Sequence, residues 1–415
     1  MTTIGEILTY FIIFLILYYQ VFLLLTFVED KMDERKNKGR GKISIGENGL
    51  WPRATIIVPC FNEGKTVSGT LDSLLSLDYP KDKLDIIAVN DGSSDNTADI
   101  LENYAGKFGI KVFHKKNGGK HTALNLGIAN TDSEIIGCLD ADSFVERNAL
   151  KEIVKKFENP ETMAVTPAIL VHKPENILEL IQKAEYNVGL FSRKMLCRFN
   201  SLHVTPGPFS FFRREVFEKI GPYRHGHSTE DMEMTMRMQS HRMKIDNAPK
   251  AYVYTTTPRS YSGLLKQRIR WIYGFLKNAI DYRGMFFNKK YGNFGLFYLP
   301  FAFFSIYAVL YLFFMAVYRF LKIIYDRLID YSIVGFEFSP KIDWFFVNTE
   351  SFYFVGAFFL ISSLLIIFIG RRMSEDKTLV GKDVLYFVLF YGLISPFWLI
   401  KAAYNVAFSK EASWR

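Results

Sequence analysis

Two aspartates one residue apart, Asp140 and Asp142, close the apolar run in "SEIIGCLDADSF", residues 133–144. Acids at i and i+2 beyond a strand can face one pocket where the chain turns, and their repulsion in a desolvated place is costly unless a cation joins them. Carboxylates are hard oxygen ligands, which favours magnesium or manganese, ions that keep waters and bridge substrate phosphates. An isolated D-x-D also reads as a turn in which Asp142 caps the following helix. Two further strand ends add weight to the chemical reading. In "NDGSSD" (90–95) Asp91 can accept from a nucleobase N–H or from ribose hydroxyls. In "NGGKHTALN" (117–125) Gly118 and Gly119 let the backbone approach a phosphate that Lys120 neutralises. "NDGS" is also an ordinary turn and "GGK" an ordinary loop before a helix. Three in order, each at a strand end, carry more than any one. The chain lacks G-x-x-x-x-G-K-[ST], and no G-x-G-x-x-G follows its first strand, which speaks against a P-loop NTPase and a dinucleotide enzyme.

Further on, "HSTEDMEMTMRMQ" sets Glu230 and Asp231 at the start of a helix with Thr229 ahead of them, a placement that acids favour for electrostatic reasons alone. In "QRIRW" (267–271) Gln267, Arg270 and Trp271 share a helical face by their i, i+3, i+4 spacing. The same segment reads as an interfacial amphipathic helix that snorkels its arginines and anchors on Trp271. Both readings hold together. In "RHGH", His225 and His227 precede the acids, either as polar loop residues or as a metal or phosphate contact.

The elements that must position these residues follow from pattern. "ATIIVP", "DIIAVND", "IKVFH" and "EIIGCLDAD" read as strands; 65–76, "NTADILENYAGKF" with Asp95 or Asn96 at its cap, "HTALNLGIAN" and "NALKEIVKKFEN" read as helices. Such alternation predicts an α/β fold, a doubly wound, mostly parallel sheet with helices on both faces. In these sheets ligands bind beyond the carboxyl ends of the strands, where the acids and glycines stand.

The chain has 415 residues, 49% of them hydrophobic, and they are unevenly spread. From Ile7 to Val28 nothing is charged, enough for a helix to cross about 30 Å of hydrocarbon. A cleaved signal peptide would have a core of about 7–15 residues, a basic residue ahead and a small-residue cleavage site behind, and none of these holds. Three more uncharged runs, Phe294–Val317, Ser351–Gly370 and Val384–Ile400 continuing past Lys401 to Phe408, make four expected spans. No Lys or Arg precedes the first run and "EDKMDERKNKGRGK" follows it, so the central segment is expected in the cytoplasm, with both termini outside. Much of the net charge of +9 lies beside spans, where it serves orientation and anionic lipid rather than nucleic acid. Cys60, Cys138 and Cys197 are few, odd in number and far apart, as small apolar residues of a reducing compartment are.

In order and spacing, "FNE", "VNDGSSD", "NGGKHTALN", "CLDAD", "TPGPFSFFRRE", "STED" and "QRIRW" resemble the family 2 glycosyltransferases, in particular the processive membrane synthases of cellulose, chitin, hyaluronan and poly-N-acetylglucosamine. "VNDGSSDNT", "CLDAD" and "KQRIRW" look most like the bacterial poly-β-1,6-N-acetylglucosamine synthases. "GPFSFFR" leans towards the chitin and hyaluronan synthases, which usually carry a different acidic tripeptide where this chain has "TED". The resemblance implies a GT-A-like catalytic domain joined to about four membrane helices. It implies that Glu63 and Asp91 contact the uridine of a UDP-sugar, that Lys120 lies near the nucleotide, and that Asp140 and Asp142 hold the diphosphate through Mg2+ or Mn2+. Asp231 would be the general base with Glu230 beside it. Gln267, Arg268 and Arg270 would close over the pyrophosphate and acceptor, and Trp271 would stack on the acceptor sugar. The implied reaction is inverting transfer to a growing β-linked polysaccharide at the membrane. A single transfer to a lipid, or a different UDP-sugar, stays open, and a transporter is disfavoured by spans without buried charge.

The expected organisation is a first span in 1–28, a basic linker 29–52, the catalytic domain 53–259 and an interfacial segment 260–291. A second span 292–318, an outward loop 319–348, a third span 349–370, a cytosolic loop 371–383, a fourth span 384–408 and a tail 409–415 follow. Four spans are few to enclose a polysaccharide path, which implies a small membrane subunit or self-association.

Overall fold

Strands β1 (Ala54–Cys60), β2 (Leu84–Asn90), β3 (Lys111–His114) and β4 (Ile135–Cys138) form the half of the sheet that ends in the chemical residues. The protein is seen in a computed structural model that describes residues 4–37, 51–334, 351–374 and 381–408. β5 (Ser143–Val145), β6 (Thr162–Val171), β7 (Phe211–Arg213) and β8 (Lys244–Thr255) complete an eight-stranded sheet in the order β3-β2-β1-β4-β7-β6-β8-β5. β1 pairs in parallel with β2 and β4, β2 with β3, and β6 with β8; β7 runs antiparallel to β4 and β6, and β5 to β8. The parallel half is the doubly wound unit read from the alternation, and the antiparallel strands make the whole sheet mixed. Residues beyond Asn159 give no comparable alternation, so β6 to β8 were not legible.

Both faces of the parallel half are covered, which explains its nearly unbroken apolar strands. Ile56, Val58 and Ala88 point to one core with α2 (Val67–Leu75), α3 (Thr97–Phe108) and α5 (Ala149–Lys156). Ile57, Ile87 and Val89 point to the other, with α4 (Lys120–Ala129), α7 (Arg214–Ile220), α8 (Glu230–Ser240) and α9 (Tyr261–Asp281). Met232, Met234, Met236 and Met238 of α8 are all buried, so this helix is enclosed on every side. The second core continues through Phe294, Leu299 and Ile306 to Trp398 and Leu399, joining the sheet domain to the apolar helices.

A long helix, α6 (Ile177–Arg198), opens on a capping box between Asn176 and Glu179 and lies against the apolar helices. Those are α1 (Ile4–Asn37), α10 (Leu299–Val334), α11 (Ser351–Met373) and the pair α12 (Lys382–Tyr386) and α13 (Gly392–Ala407). Four helical stretches, Ile4–Lys36, Phe294–Ile333, Phe354–Met373 and Lys382–Ala407, are long and apolar enough to cross a membrane.

The structure departs from the sequence reading at three places. α1 does not stop near Val28 but runs on to Asn37, because Asp30, Asp33 and Glu34 pair with Lys194 and Arg198 of α6. α10 likewise continues to Val334, well into the segment expected as a loop, over a run that contains no glycine or proline to stop it. Asp142 caps no helix: β5 follows it, and Asn148 stands at the start of α5. The rest of the linker (38–50), residues 335–350 and 375–380 of the expected loops, and the tail 409–415 lie outside the described residues.

Candidate active site

The loops after β1, β2 and β4 meet because their strands are neighbours, and β1 and β4 flank the point where the strand order reverses. Asn62, left-handed at φ 57°, donates its N–H to Ser93 Oγ at 3.0 Å and accepts from Ser94 N at 2.8 Å through Oδ1. Glu63 N donates to Thr97 Oγ1 at 2.9 Å, so the "FNE" turn is laced to "NDGSSD". Asp95 receives Thr97 N at 3.1 Å, as expected at the start of α3.

Asp91 is buried and engaged through both oxygens. Its Oδ1 accepts from Gly118 N at 3.1 Å and its Oδ2 from Gly119 N at 3.0 Å, and Lys115 Nζ pairs with it. The carboxylate therefore fixes the glycine loop that the sequence assigns to a phosphate. Gly92 permits this at φ 77°, since a Cβ there would stand 2.8 Å from Asn117 N.

The central feature is a buried charge cluster. Lys120, the first residue of α4, places Nζ 2.5 Å from Asp140 Oδ1 and 3.2 Å from Glu230 Oε1. Burial alone would lower the Lys120 pKa, but the negative charges of Asp140, Glu230 and Asp231 outweigh it and hold Lys120 well above its ordinary value. Glu230 responds in the opposite sense: burial would raise it, but Lys120, with Arg270 adding to it, keeps it below the usual range. Asp231 is pushed up to about 6 by burial and by the neighbouring Glu230 charge. Asp142 is likewise pushed up to about 6, by burial and by the charges of Asp140 and Glu63, while it accepts from Thr256 and Ser143.

One residue that spacing did not single out shapes this cluster. A Cβ on Gly207, in "TPGPF", would lie 2.5 Å from Lys120 Nζ and 3.1 Å from each Asp140 oxygen. Only a residue without a side chain lets this loop close against the acids, and its N–H donates to Asp231 Oδ2 at 3.3 Å. Asn278 is the other omission: from α9 it donates to Gly226 O at 3.1 Å and Thr229 Oγ1 at 3.0 Å, holding the loop that leads into Glu230. Its signal, a buried polar residue eleven positions after Gln267, is invisible without knowing what packs on that helix.

α9 brings Arg270 to this loop, where Nη1 donates to Ser228 O at 2.9 Å. Arg268 does not join the cluster. It is buried, pairs with Glu185 of α6 at 2.6 Å, and its guanidinium lies 4.2 Å over the Trp271 ring; Gln267 Oε1 accepts from it at 3.2 Å. The histidines separate: His227 pairs with Asp281 at 2.8 Å, and His225 lies edge-on to His121, their ring centres 5.5 Å apart.

Among the described residues no three His, Cys, Asp or Glu side chains converge as a metal cage. Asp140 and Asp142 bring two hard carboxylate groups into one loop, a chemistry that suits a divalent cation where waters and substrate phosphates complete the shell. The Lys120 ammonium seated between Asp140 and Glu230 marks the cluster as one that holds positive charge.

A mixed α/β sheet with acids at its switch point, faced by a second acidic pair on a buried helix, defines a GT-A-type sugar transferase, and the chain belongs to the family 2 glycosyltransferases. The family profile, Glycosyl transferase family 2, matches residues 55–221. A poly-beta-1,6-N-acetyl-D-glucosamine synthase of Staphylococcus epidermidis is 30% identical over 353 residues, 84% of this chain and 81% of that one. The protein of the same name from Staphylococcus aureus (strain COL) is 31% identical over 251 residues, 60% of each chain. Among solved structures, a mannosyltransferase from Pyrobaculum calidifontis in complex with GDP-Man and Mn2+ has a TM-score of 0.58 at 17% identity, covering 94% of this chain and 99% of its own. That likeness shows the fold.

Proposed function

We propose that this protein is an inverting N-acetylglucosaminyltransferase of the membrane, which extends a β-linked polysaccharide from UDP-GlcNAc on the cytosolic side. The observation that carries the reading is the cluster of Lys120, Asp140, Glu230 and Asp231, in a chain that resembles a poly-N-acetylglucosamine synthase over 84% of its length.

Asp231 is the general base that takes the proton from the acceptor hydroxyl. Its buried setting supports this, because a base poised near pH 6 combines ionisation at neutral pH with appreciable basicity. Glu230 and Lys120 hold the charge balance around it. Asp91 and Glu63 face the uridine, with Asp91 also setting the glycine loop. Asp140 and Asp142 would hold Mg2+ or Mn2+, which when bound stabilises the diphosphate as it leaves. Arg270 and Gln267 close over the donor from α9. Trp271 takes the acceptor sugar on its ring, and Arg268, paired with Glu185, braces that ring rather than touching the pyrophosphate. Attack from the side opposite the leaving diphosphate turns an α-linked donor into a β-linked product. The basic flank of the first apolar helix supports a cytosolic catalytic domain. A second membrane subunit or self-association completes the polymer path.

The test is incorporation of labelled sugar from UDP-GlcNAc, against UDP-glucose, by membranes carrying the chain, with Mg2+ or Mn2+. A long polymer from UDP-GlcNAc supports the proposal; short product extracted with lipid replaces it by a single-transfer enzyme.

A further inference from the structure

Three cations stand in the last two turns of α6, and two of them are satisfied. Lys194 meets Asp30 at 2.5 Å and Glu34 at 2.9 Å, and Arg198 meets Asp30 at 3.1 Å and Asp33 at 2.7 Å. Arg193 faces away from these acids. Its Nε and Nη2 are buried and meet no hydrogen-bond acceptor among the described residues. Its electrostatic neighbours are Tyr186 and Cys197 on its own helix, and the His203 imidazole across from it. None of them is a carboxylate. Burial pulls Arg193 down to about 10, still charged at neutral pH, and burial together with Arg193 pushes His203 down to about 4, so His203 is neutral.

A guanidinium with two of its three nitrogens buried and no anion beside it is an expensive arrangement. The surroundings nonetheless make room for it. One turn earlier on α6 stands Gly189, where a Cβ would lie 3.2 Å from Arg193 Nη1. The position also adjoins the charged end of the first apolar run, which closes at Val28. Phe191 and Met195 of α6 pack with Leu23 of α1 and Ile366 of α11, and His203 hydrogen-bonds Tyr298 at 2.5 Å, beside the start of α10. The charged end of an apolar span is where lipid headgroups present phosphate, the anion whose geometry a guanidinium fork matches with two parallel hydrogen bonds.

We propose that Arg193 is the centre of an anion site separate from the catalytic cluster, and that it takes the phosphate of an anionic membrane phospholipid. The lipid then pins α6 to the membrane and neutralises the cation of these three that meets no acid among the described residues.

The full chain, purified in maltoside detergent and phosphate-free buffer, is titrated with phosphatidylglycerol while its thermal midpoint is followed. The midpoint is expected to rise by about 2–4 °C. Diacylglycerol with the same acyl chains, and a β-linked N-acetylglucosamine oligosaccharide, are expected to leave it unchanged. Arg193→Gln should lose the phosphatidylglycerol shift and Arg198→Gln should keep it. Should Arg193→Gln fail to purify, Gly189→Val, which fills the space beside Nη1, is expected to lose the shift in its place. A shift that persists in both Arg193→Gln and Gly189→Val, or no shift in the native chain, overturns the site. An equal shift from inorganic phosphate overturns the lipid as its occupant, and an oligosaccharide shift abolished by Arg193→Gln reassigns Arg193 to the acceptor.

Discussion

Asp231 is held near pH 6 by burial and by Glu230, and this gives its proposed role a measurable signature. A base must be ionised to work, and a raised pKa means the proton is retained to higher pH than in an ordinary carboxylate. Activity is therefore lost as pH falls through about 6 and is constant above it, so kcat/KM should drop tenfold per unit on the acid side. Asp231→Asn should reduce kcat by about 10²–10⁴. In Glu230→Gln the residual activity should show its acid limb at lower pH, because the removed charge is one that pushes Asp231 up. Gly207→Ala tests the crowding beside Lys120 and Asp140: kcat/KM should fall by about 10–100-fold while the thermal midpoint moves little, since the added carbon meets the proposed catalytic charges rather than the core. Asp91, Asp140 and Asp142 are conspicuous in the sequence because they follow apolar strands, whereas Glu230, Asp231 and Lys120 stand at helix starts and gain weight only from the motifs around them. Gly207 could not be found there, because it acts by lacking a side chain at a place only the folded loop defines. Arg268 sits two positions from Trp271's neighbour Arg270, and only the packing of α6 shows that it turns onto Glu185.

At the level of elements, the parallel half of the sheet was legible because each strand and helix leaves its own periodicity. The mixed half and α6 were not. α6 buries Phe191 and Met195 against apolar helices on one side and Leu190 against Ala168 and Tyr252 of the sheet on another, so its sequence lacks a single apolar stripe. The extension of α1 was hidden for a related reason: "EDKMDERKN" reads as a polar linker until its acids find Lys194 and Arg198. Asp30 is the most enclosed of these acids, contacting both cations. Asp30→Asn should cost about 1–3 kcal/mol, less than a fully buried pair because Arg198 is partly exposed. The check is the thermal midpoint in detergent, with Glu34→Gln, whose acid is half exposed, expected to change it far less.

At the scale of the whole molecule, the sheet domain and the apolar helices share one core. Leu264, Phe275 and Leu276 of α9, the helix that carries Gln267 to Trp271, belong to the same cluster as Phe294, Leu299, Trp398 and Leu399. Gly295 tightens the junction, since a Cβ there would stand 2.5 Å from Met285 O. Removing the spans therefore removes one wall of the core under α9, not a separate anchor. α9 in turn holds the loop before Glu230 through Asn278 and Arg270, so loosening it displaces the proposed base. A fragment of residues 51–291 keeps every proposed donor-binding and catalytic side chain. It should nonetheless bind UDP-GlcNAc at least tenfold more weakly than the full chain in detergent, elute as aggregate, and show no transfer. Calorimetric titration and gel filtration of the two proteins side by side measure this. A monodisperse fragment with full affinity would mean that the sheet domain closes its own core and that the spans only tether it.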